Sequence, residues 1–261
     1  MKKVLIITGG SSGIGKATAE LFAQRGYNVY ELSRHGKSNG AIMHIDCDVT
    51  DETQVQTAVK EVIEKESRVD ILISNAGYGI SGPVEFTELE DAKRQFDVNF
   101  FGALNIVKAV LPTMRMQRCG RIVFTSSVAA VLSIPYQSFY SASKSAINSL
   151  ALALRNEVAD FGIEVTVLMP GDVATGFTAA RDKSIAGAEI YTHLKNAVAT
   201  MERDEQNGMT CEYLARALYN ASTVSNPKPL YTVGFQYKVF VLLERLLPKR
   251  LSNWIVGLLY R

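Results

Sequence analysis

Short apolar runs alternate with longer helical stretches along most of this chain. That alternation constrains the fold more than any other feature. The runs cover residues 4–8, 28–33, 41–47, 69–74, 121–126, 163–169 and 229–232. Each is rich in Val, Ile and Leu and bounded by glycine or polar residues, the pattern of a strand buried on both faces. Helical patterns lie between them, over 13–25, 51–65, 93–116 and 138–161. The first stops at Gly26, a residue suited to the position after a helix end, and the second starts from Thr50-Asp51, good capping chemistry. Strands alternating with helices imply an α/β fold, a doubly wound parallel sheet with helices on both faces. The stretch 176–207 reads as polar and irregular, and the last thirty or so residues as apolar and basic.

Composition narrows the function classes. Hydrophobic residues are 47% and charged residues 21%, which excludes a disordered or fibrous chain. Lys plus Arg is 28 and Asp plus Glu is 26, too even a balance for a nucleic-acid footprint. Cys47, Cys119 and Cys211 are far apart and odd in number, which fits a reducing compartment and neither a disulfide framework nor a zinc site. Met1-Lys2-Lys3 followed by an apolar run reads as a buried strand, since the run ends at Thr8-Gly9-Gly10 before a signal-peptide core is reached. No stretch is apolar enough for a membrane span. With only His35, His44 and His193 and no G-x-S-x-G elbow, a Ser-His-Asp hydrolase is not expected, nor is a catalytic metal.

The first strand runs into Thr8-Gly9-Gly10-Ser11-Ser12-Gly13-Ile14-Gly15, and a helix follows. Glycines there let the backbone turn tightly and approach a pyrophosphate, whose charge then sits at a helix N-terminus. The spacing is G-x-x-x-G-x-G, which differs from the G-x-G-x-x-G of other dinucleotide folds. Further motifs follow in order: Asp48-Val49, Asn75-Ala76-Gly77, Asn99 within Asp97-Val98-Asn99, Ser127, Tyr140-x-x-x-Lys144, and Pro170-Gly171-x-Val173-x-Thr175. In this order they resemble the short-chain dehydrogenases/reductases, with the pattern nearest to hydroxysteroid and retinol dehydrogenase-like members.

The resemblance implies a single Rossmann-type domain over 1–261. Its cofactor-binding and catalytic core would end near 178, a substrate lid would cover 179–210, and a C-terminal extension 230–261. It also implies cofactor contacts from Gly9, Ser11, Ser12, Gly13, Ile14, Gly15, Asp48, Val49, Asn75, Ala76, Gly77, Pro170, Gly171, Val173 and Thr175, joined by Tyr140 and Lys144. In the family the P-G loop grips the nicotinamide amide.

Tyr140 and Lys144 are four residues apart on a helix and so share a face. A phenol is a poor acid or base near neutrality, and a neighbouring ammonium should lower its pKa. Ser127, at a strand's C-terminal end, can donate to a substrate oxygen and stabilise a developing alkoxide. The resemblance implies the same roles, with Lys144 also holding the nicotinamide ribose and Asn99 holding a water in a proton relay. The cofactor follows from the second strand. Its end carries Ser33 and Arg34 where an NAD enzyme places an acid. A guanidinium there can grip a 2′-phosphate, so NADP(H) is expected. Glu31 lies, by strand alternation, one step short of that place.

The stretch 176–207 carries Phe177, Ile185, Ile190, Tyr191, Leu194 and Met201, enough apolar surface to cover a small lipophilic substrate. The expected activity is therefore NADP(H)-dependent interconversion of a ketone and a secondary alcohol, with a hydroxysteroid as the first substrate. The alternatives are reduction of 3-oxoacyl thioesters or small ketones, and a nucleotide-sensing scaffold without turnover. The tail, with Arg245, Lys249, Arg250 and Arg261, either lies on a membrane surface or folds over the cleft or a neighbouring subunit. The expected setting is cytoplasmic, open to peripheral membrane contact, and the resemblance implies a homodimer or homotetramer.

Overall fold

The computed structural model describes residues 2–260. Arg261, expected in the basic tail, lies outside the described residues, as does Met1. Among the described residues nine strands form: β1 Val4–Thr8, β2 Asn28–Ser33, β3 Ile42–Asp46, β4 Ile71–Ser74, β5 Ile80–Ser81, β6 Gly120–Thr125, β7 Ile163–Pro170, β8 Asp182–Lys183 and β9 Leu230–Val233. Ten helices join them: α1 Gly13–Gln24, α2 Glu52–Glu66, α3 Leu89–Phe96, α4 Gly102–Gln117, α5 Ser138–Glu157, α6 Phe177–Ala180, α7 Leu194–Gln206, α8 Cys211–Thr223, α9 Phe235–Leu246 and α10 Lys249–Leu259. Seven strands make one parallel sheet in the order β3-β2-β1-β4-β6-β7-β9, the doubly wound single domain expected. The order reverses between β1 and β4, where such sheets open a crevice at the strands' carboxyl ends.

The strand sequences show why the sheet is covered on both sides. In β1 every residue is buried, and alternate side chains point opposite ways. Val4 and Ile6 enter one apolar core with Val59 of α2, Ile106 of α4 and Ile147 of α5. Leu5 and Ile7 enter the other with Phe22 of α1 and Leu218 of α8. Asp51 caps α2 as expected, accepting from the Thr53 and Gln54 backbone N–H groups. Cys47, Cys119 and Cys211 are all free thiols. No helix of the described residues is long and apolar enough to cross a membrane.

Three segments differ from the sequence reading. The stretch expected to be irregular contains α6, β8 and the thirteen-residue α7. Its helical periodicity is masked because α7 buries only a narrow stripe around Leu194, Ala197 and Met201. The helix expected over 93–116 begins at Leu89 and holds a π-helical turn, Asp97–Phe101, between α3 and α4. The helix expected over 138–161 ends at Glu157, and its last residues form a separate 3₁₀ turn, Ala159–Phe161, closed by left-handed Gly162.

Phe22 is fully buried and meets the rings of Tyr27 and Tyr219 at 4.9 and 5.0 Å, tying α1 to α8. Phe22→Ala should cost about 3–5 kcal/mol of stability, read from the urea midpoint. A loss below about 1 kcal/mol would mean that this layer repacks freely.

Candidate active site

The crevice begins at Thr8. Its buried hydroxyl accepts from the backbone N–H groups of Asn75 and Ala76, both at 3.0 Å, and so ties β1 to the loop after β4. Gly9 then turns with φ +66° and donates its N–H to Leu32 O at 2.8 Å. A Cβ on Gly15 would collide with the Gly9 carbonyl, and one on Gly9 would lie 3.0 Å from the Ala76 backbone. The loop is thus a cradle that side chains would fill. Ser12 precedes α1 without capping it through its side chain, which leaves first-turn N–H groups for an anion. Gly13, Ile14 and Gly15 form that first turn. Thr175 approaches the space beside Gly13 from the loop after β7.

That second loop is held from both sides. Met209 N donates to Asp172 O and Ala174 N to Met209 O, both at 2.9 Å, beside Val173. Gly171, just after Pro170, lies against the Tyr237 ring, where a Cβ would overlap it. The Tyr237 hydroxyl donates to Asp172 Oδ2 at 2.6 Å.

Tyr140 and Lys144 project from α5 toward the ends of β4 and β6. Lys144 is buried and donates to Thr125 O at 3.0 Å, with its Nζ 5.7 Å from the Tyr140 ring centre. Ser127 opens the turn after β6, and its Oγ accepts from Ala129 N. Asn99 lies in the π-helical turn, a distortion that often re-aims functional side chains. Its amide accepts from Tyr78 N at 3.0 Å and donates to Tyr78 O and Ser143 Oγ, at 3.0 and 3.1 Å. Gly77 permits this meeting: a Cβ there would sit 3.0 Å from Asn99 Oδ1 and 3.4 Å from Lys144 Nζ. The four residues expected to act together therefore converge, although Asn99 spends its amide on protein groups.

The electrostatics correct the sequence reading. Burial raises the Tyr140 pKa to about 12, and interaction with the Ser127 hydroxyl offsets only part of that. Burial likewise lowers Lys144 to about 8. Desolvation penalises both charged forms, so in this state the phenol is a protonated acid rather than a lowered one.

The end of β2 also differs. Glu31 and Ser33 are two residues apart and share a face, so Glu31 is not one step short. Its carboxylate reaches Ser33 Oγ at 2.9 Å and lies beside Gly10, with Oε2 buried and without a partner. Glu31 pairs in register with His44, and Ser33 with Asp46. His44 Nδ1 is 2.7 Å from Glu31 and Nε2 is 2.9 Å from Asp46. Arg34 is exposed beside them. Asp48 accepts from the Thr50 N–H and hydroxyl, and Val49 packs under Gly102. Strand alternation alone does not bring His44 to Glu31; the β2–β3 pairing register does.

The Phe177 ring, expected in the lid, lies 5.7 Å from that of Tyr140. The sequence reading did not single out its polar neighbours Thr178, Arg181 and Glu205. Arg181 stacks on Phe177 and pairs with Glu205, both buried, and the Thr178 hydroxyl donates to Glu205 at 2.6 Å. β8 pairs with β5, so the lid is stitched to the loop after β4. Among the described residues no cluster could hold a metal.

Residues 3–186 match the model of the short chain dehydrogenase family. Over 263 aligned residues the chain is 37% identical to the 3-ketodihydrosphingosine reductase of Bacteroides thetaiotaomicron, covering 99% of this chain and 98% of that one. Among solved structures, ElxO with NADP bound is 26% identical, with a TM-score of 0.78 over 92% of this chain and 100% of that one. A short-chain dehydrogenase/reductase from Burkholderia phymatum in complex with NAD is 25% identical, with a TM-score of 0.80 over 94% and 92%.

Burial of the His44 ring disfavours its charge, but hydrogen bonds that the ring donates to Asp46 and Glu31 outweigh that and raise its pKa. A raised folded pKa gives stability that is fully present below the unfolded value, near 6.5, and is lost as pH rises through the folded one. The stability gap between wild type and His44→Asn should therefore be widest just below about pH 6.5 and shrink on the alkaline side. Thermal melts across that range check it, and a gap that widens with pH would refute the pairing.

Proposed function

The chain belongs to the short-chain dehydrogenase family, and from that premise we propose that it reduces a ketone on a long-chain lipid to a secondary alcohol, using NADPH. The observation that carries the reading is the placing of Tyr140: a half-buried phenol between Ser127, Lys144 and the lid ring of Phe177, its pKa raised by desolvation. Such a group is an acid awaiting a developing alkoxide, which suits reduction.

Arg34 would grip the 2′-phosphate, while Glu31, already engaged by His44, is left a weaker competitor for the ribose hydroxyl. The N–H groups at the start of α1 would take the pyrophosphate. When bound, the nicotinamide supplies the hydride. Ser127 donates to the substrate carbonyl oxygen and fixes its place. Tyr140 delivers its proton to that oxygen as charge develops, and the Lys144 ammonium holds the ribose and the field around the phenol. Asn99 acts on the Tyr78 backbone, shaping the loop against which Lys144 sits.

The lid covers this centre with aromatic surface. The Tyr191 ring stands 6.0 Å from Phe86 and 6.3 Å from Tyr136. The family motifs end before this region, so they do not choose the substrate. The steroid suggested by motif order gives way to a long-chain ketone, because the Bacteroides relative, aligned along the tail as well, carries the name of a lipid ketone reductase. The homodimer or homotetramer expected of the family would use the face where Phe101 and Met116 are exposed.

NADPH absorbance with a panel of long-chain 3-ketones, steroids, acyl thioesters and small ketones tests the substrate. The long-chain 3-ketones should turn over fastest, and a faster steroid would overturn the assignment. Tyr140→Phe should lower kcat by about 10²–10⁴ while NADPH still binds. Retained activity would remove Tyr140 from the proton transfer, and no turnover of any ketone in the panel would revive the scaffold reading. Arg34→Asp should raise KM for NADPH and improve use of NADH, and unchanged preference would refute the 2′-phosphate role. The kcat/KM for NADPH should fall as pH passes about 8, where Lys144 loses its proton. A profile flat to pH 11 would exclude Lys144 charge from the reaction.

A further inference from the structure

Helices α9 and α10 are apolar on two opposite sides. The inner side of α9 places Tyr237 and Val241 in the main core. Its outer side, at the spacing 235, 242 and 246, exposes Phe235, Leu242 and Leu246 by 83, 55 and 70%. In α10, Ser252 and Val256 face inward while Leu251, Trp254 and Leu258 are 40, 57 and 43% exposed. Eleven large apolar side chains of these two helices are more than a third exposed, far beyond the scattered residues of an ordinary soluble surface.

The charges around this surface have one sign. Lys238, Arg245, Lys249 and Arg250 are exposed, and the only acid in residues 235–260, Glu244, is buried and paired with Lys249. We propose that α9 and α10 form a docking surface for an anionic lipid bilayer, lying in the plane of its headgroups. Trp254 suits that boundary, and long basic side chains can reach outward from it while their stems stay apolar. A second copy on this face would meet by a twofold, bringing the same basic rim against itself, which is unfavourable.

The placement gives the surface a use. Tyr237 fixes α9 to the Gly171–Asp172 loop through ring packing and its 2.6 Å hydrogen bond. A bilayer under α9 would therefore lie beside the crevice's mouth, where a lipid ketone could pass from the bilayer to Tyr140. This last step rests on the lipid-ketone reading, whereas the docking itself does not.

Flotation of the full-length protein with vesicles tests it, using phosphatidylcholine alone or with roughly a third phosphatidylserine. Wild type should float with the anionic vesicles and detach as salt rises. Arg245→Glu with Arg250→Glu should weaken binding by more than about tenfold, since each cation near such a surface contributes about fivefold. Leu246→Glu with Trp254→Glu should weaken it at least as much. Both pairs are exposed, so circular dichroism and NADPH binding should be unchanged. Wild type that stays in the aqueous fraction with both vesicles overturns docking. So does a dimer, seen by sedimentation velocity, that Leu246→Glu with Trp254→Glu splits while no vesicle is bound. Turnover of a detergent-solubilised long-chain 3-ketone separates the two readings. Turnover without flotation refutes docking alone, and flotation without turnover refutes the substrate alone.

Discussion

Two parallel strands, β1 and β4, diverge where the sheet order reverses, and the polar ends they leave must be satisfied. Thr8 does this with one hydroxyl, accepting from two consecutive backbone N–H groups of the neighbouring loop. The bond holds Asn75-Ala76-Gly77 beside the turn of Gly9, so the phosphate cradle and the floor under Lys144 are one rigid piece. Displacing Ala76 would move Gly77, and Gly77 is where Asn99 and Lys144 come within reach of a single virtual methyl group. The spacing of the candidate catalytic residues is therefore set by a contact some distance from them.

Within that frame, desolvation competes with charge pairing. The sequence suggests a phenol lowered by its ammonium neighbour, and burial produces the reverse. Taking both groups out of water penalises phenolate and ammonium together, so Tyr140 rises and Lys144 falls. At neutral pH the phenol keeps its proton, and Lys144, lowered to about 8, keeps most of its charge. The charge of an incoming cofactor can then move both equilibria.

The parallel core was legible in the sequence because strands buried on both faces need uninterrupted apolar runs, and nothing else in a chain of this composition does. The candidate catalytic pair was legible because Tyr140 and Lys144 share a face at helical spacing, and the turn after β1 because it needs glycine where a Cβ would strike the backbone. Glu31 and His44 were not, because their meeting depends on the β2–β3 register, which is set by strands packing together. The helix α7 was hidden for a related reason. Its charged residues Arg203 and Glu205 look like solvent-facing polarity, yet Glu205 turns inward to take Arg181 and Thr178.

That inward pair shows how the lid is held without a large core of its own. A buried carboxylate bound by a guanidinium and a hydroxyl is costly to break, since either partner alone would be left charged in an apolar setting. The pair therefore fixes α6 against α7 and presses Phe177 toward Tyr140. Asp172 and Tyr237 do the same on the other wall, joining the loop after β7 to α9. Two polar clamps, one buried in the lid and one part-buried at the root of the tail, thus fix these two walls. Apolar surface alone slides, whereas a hydrogen bond holds a direction.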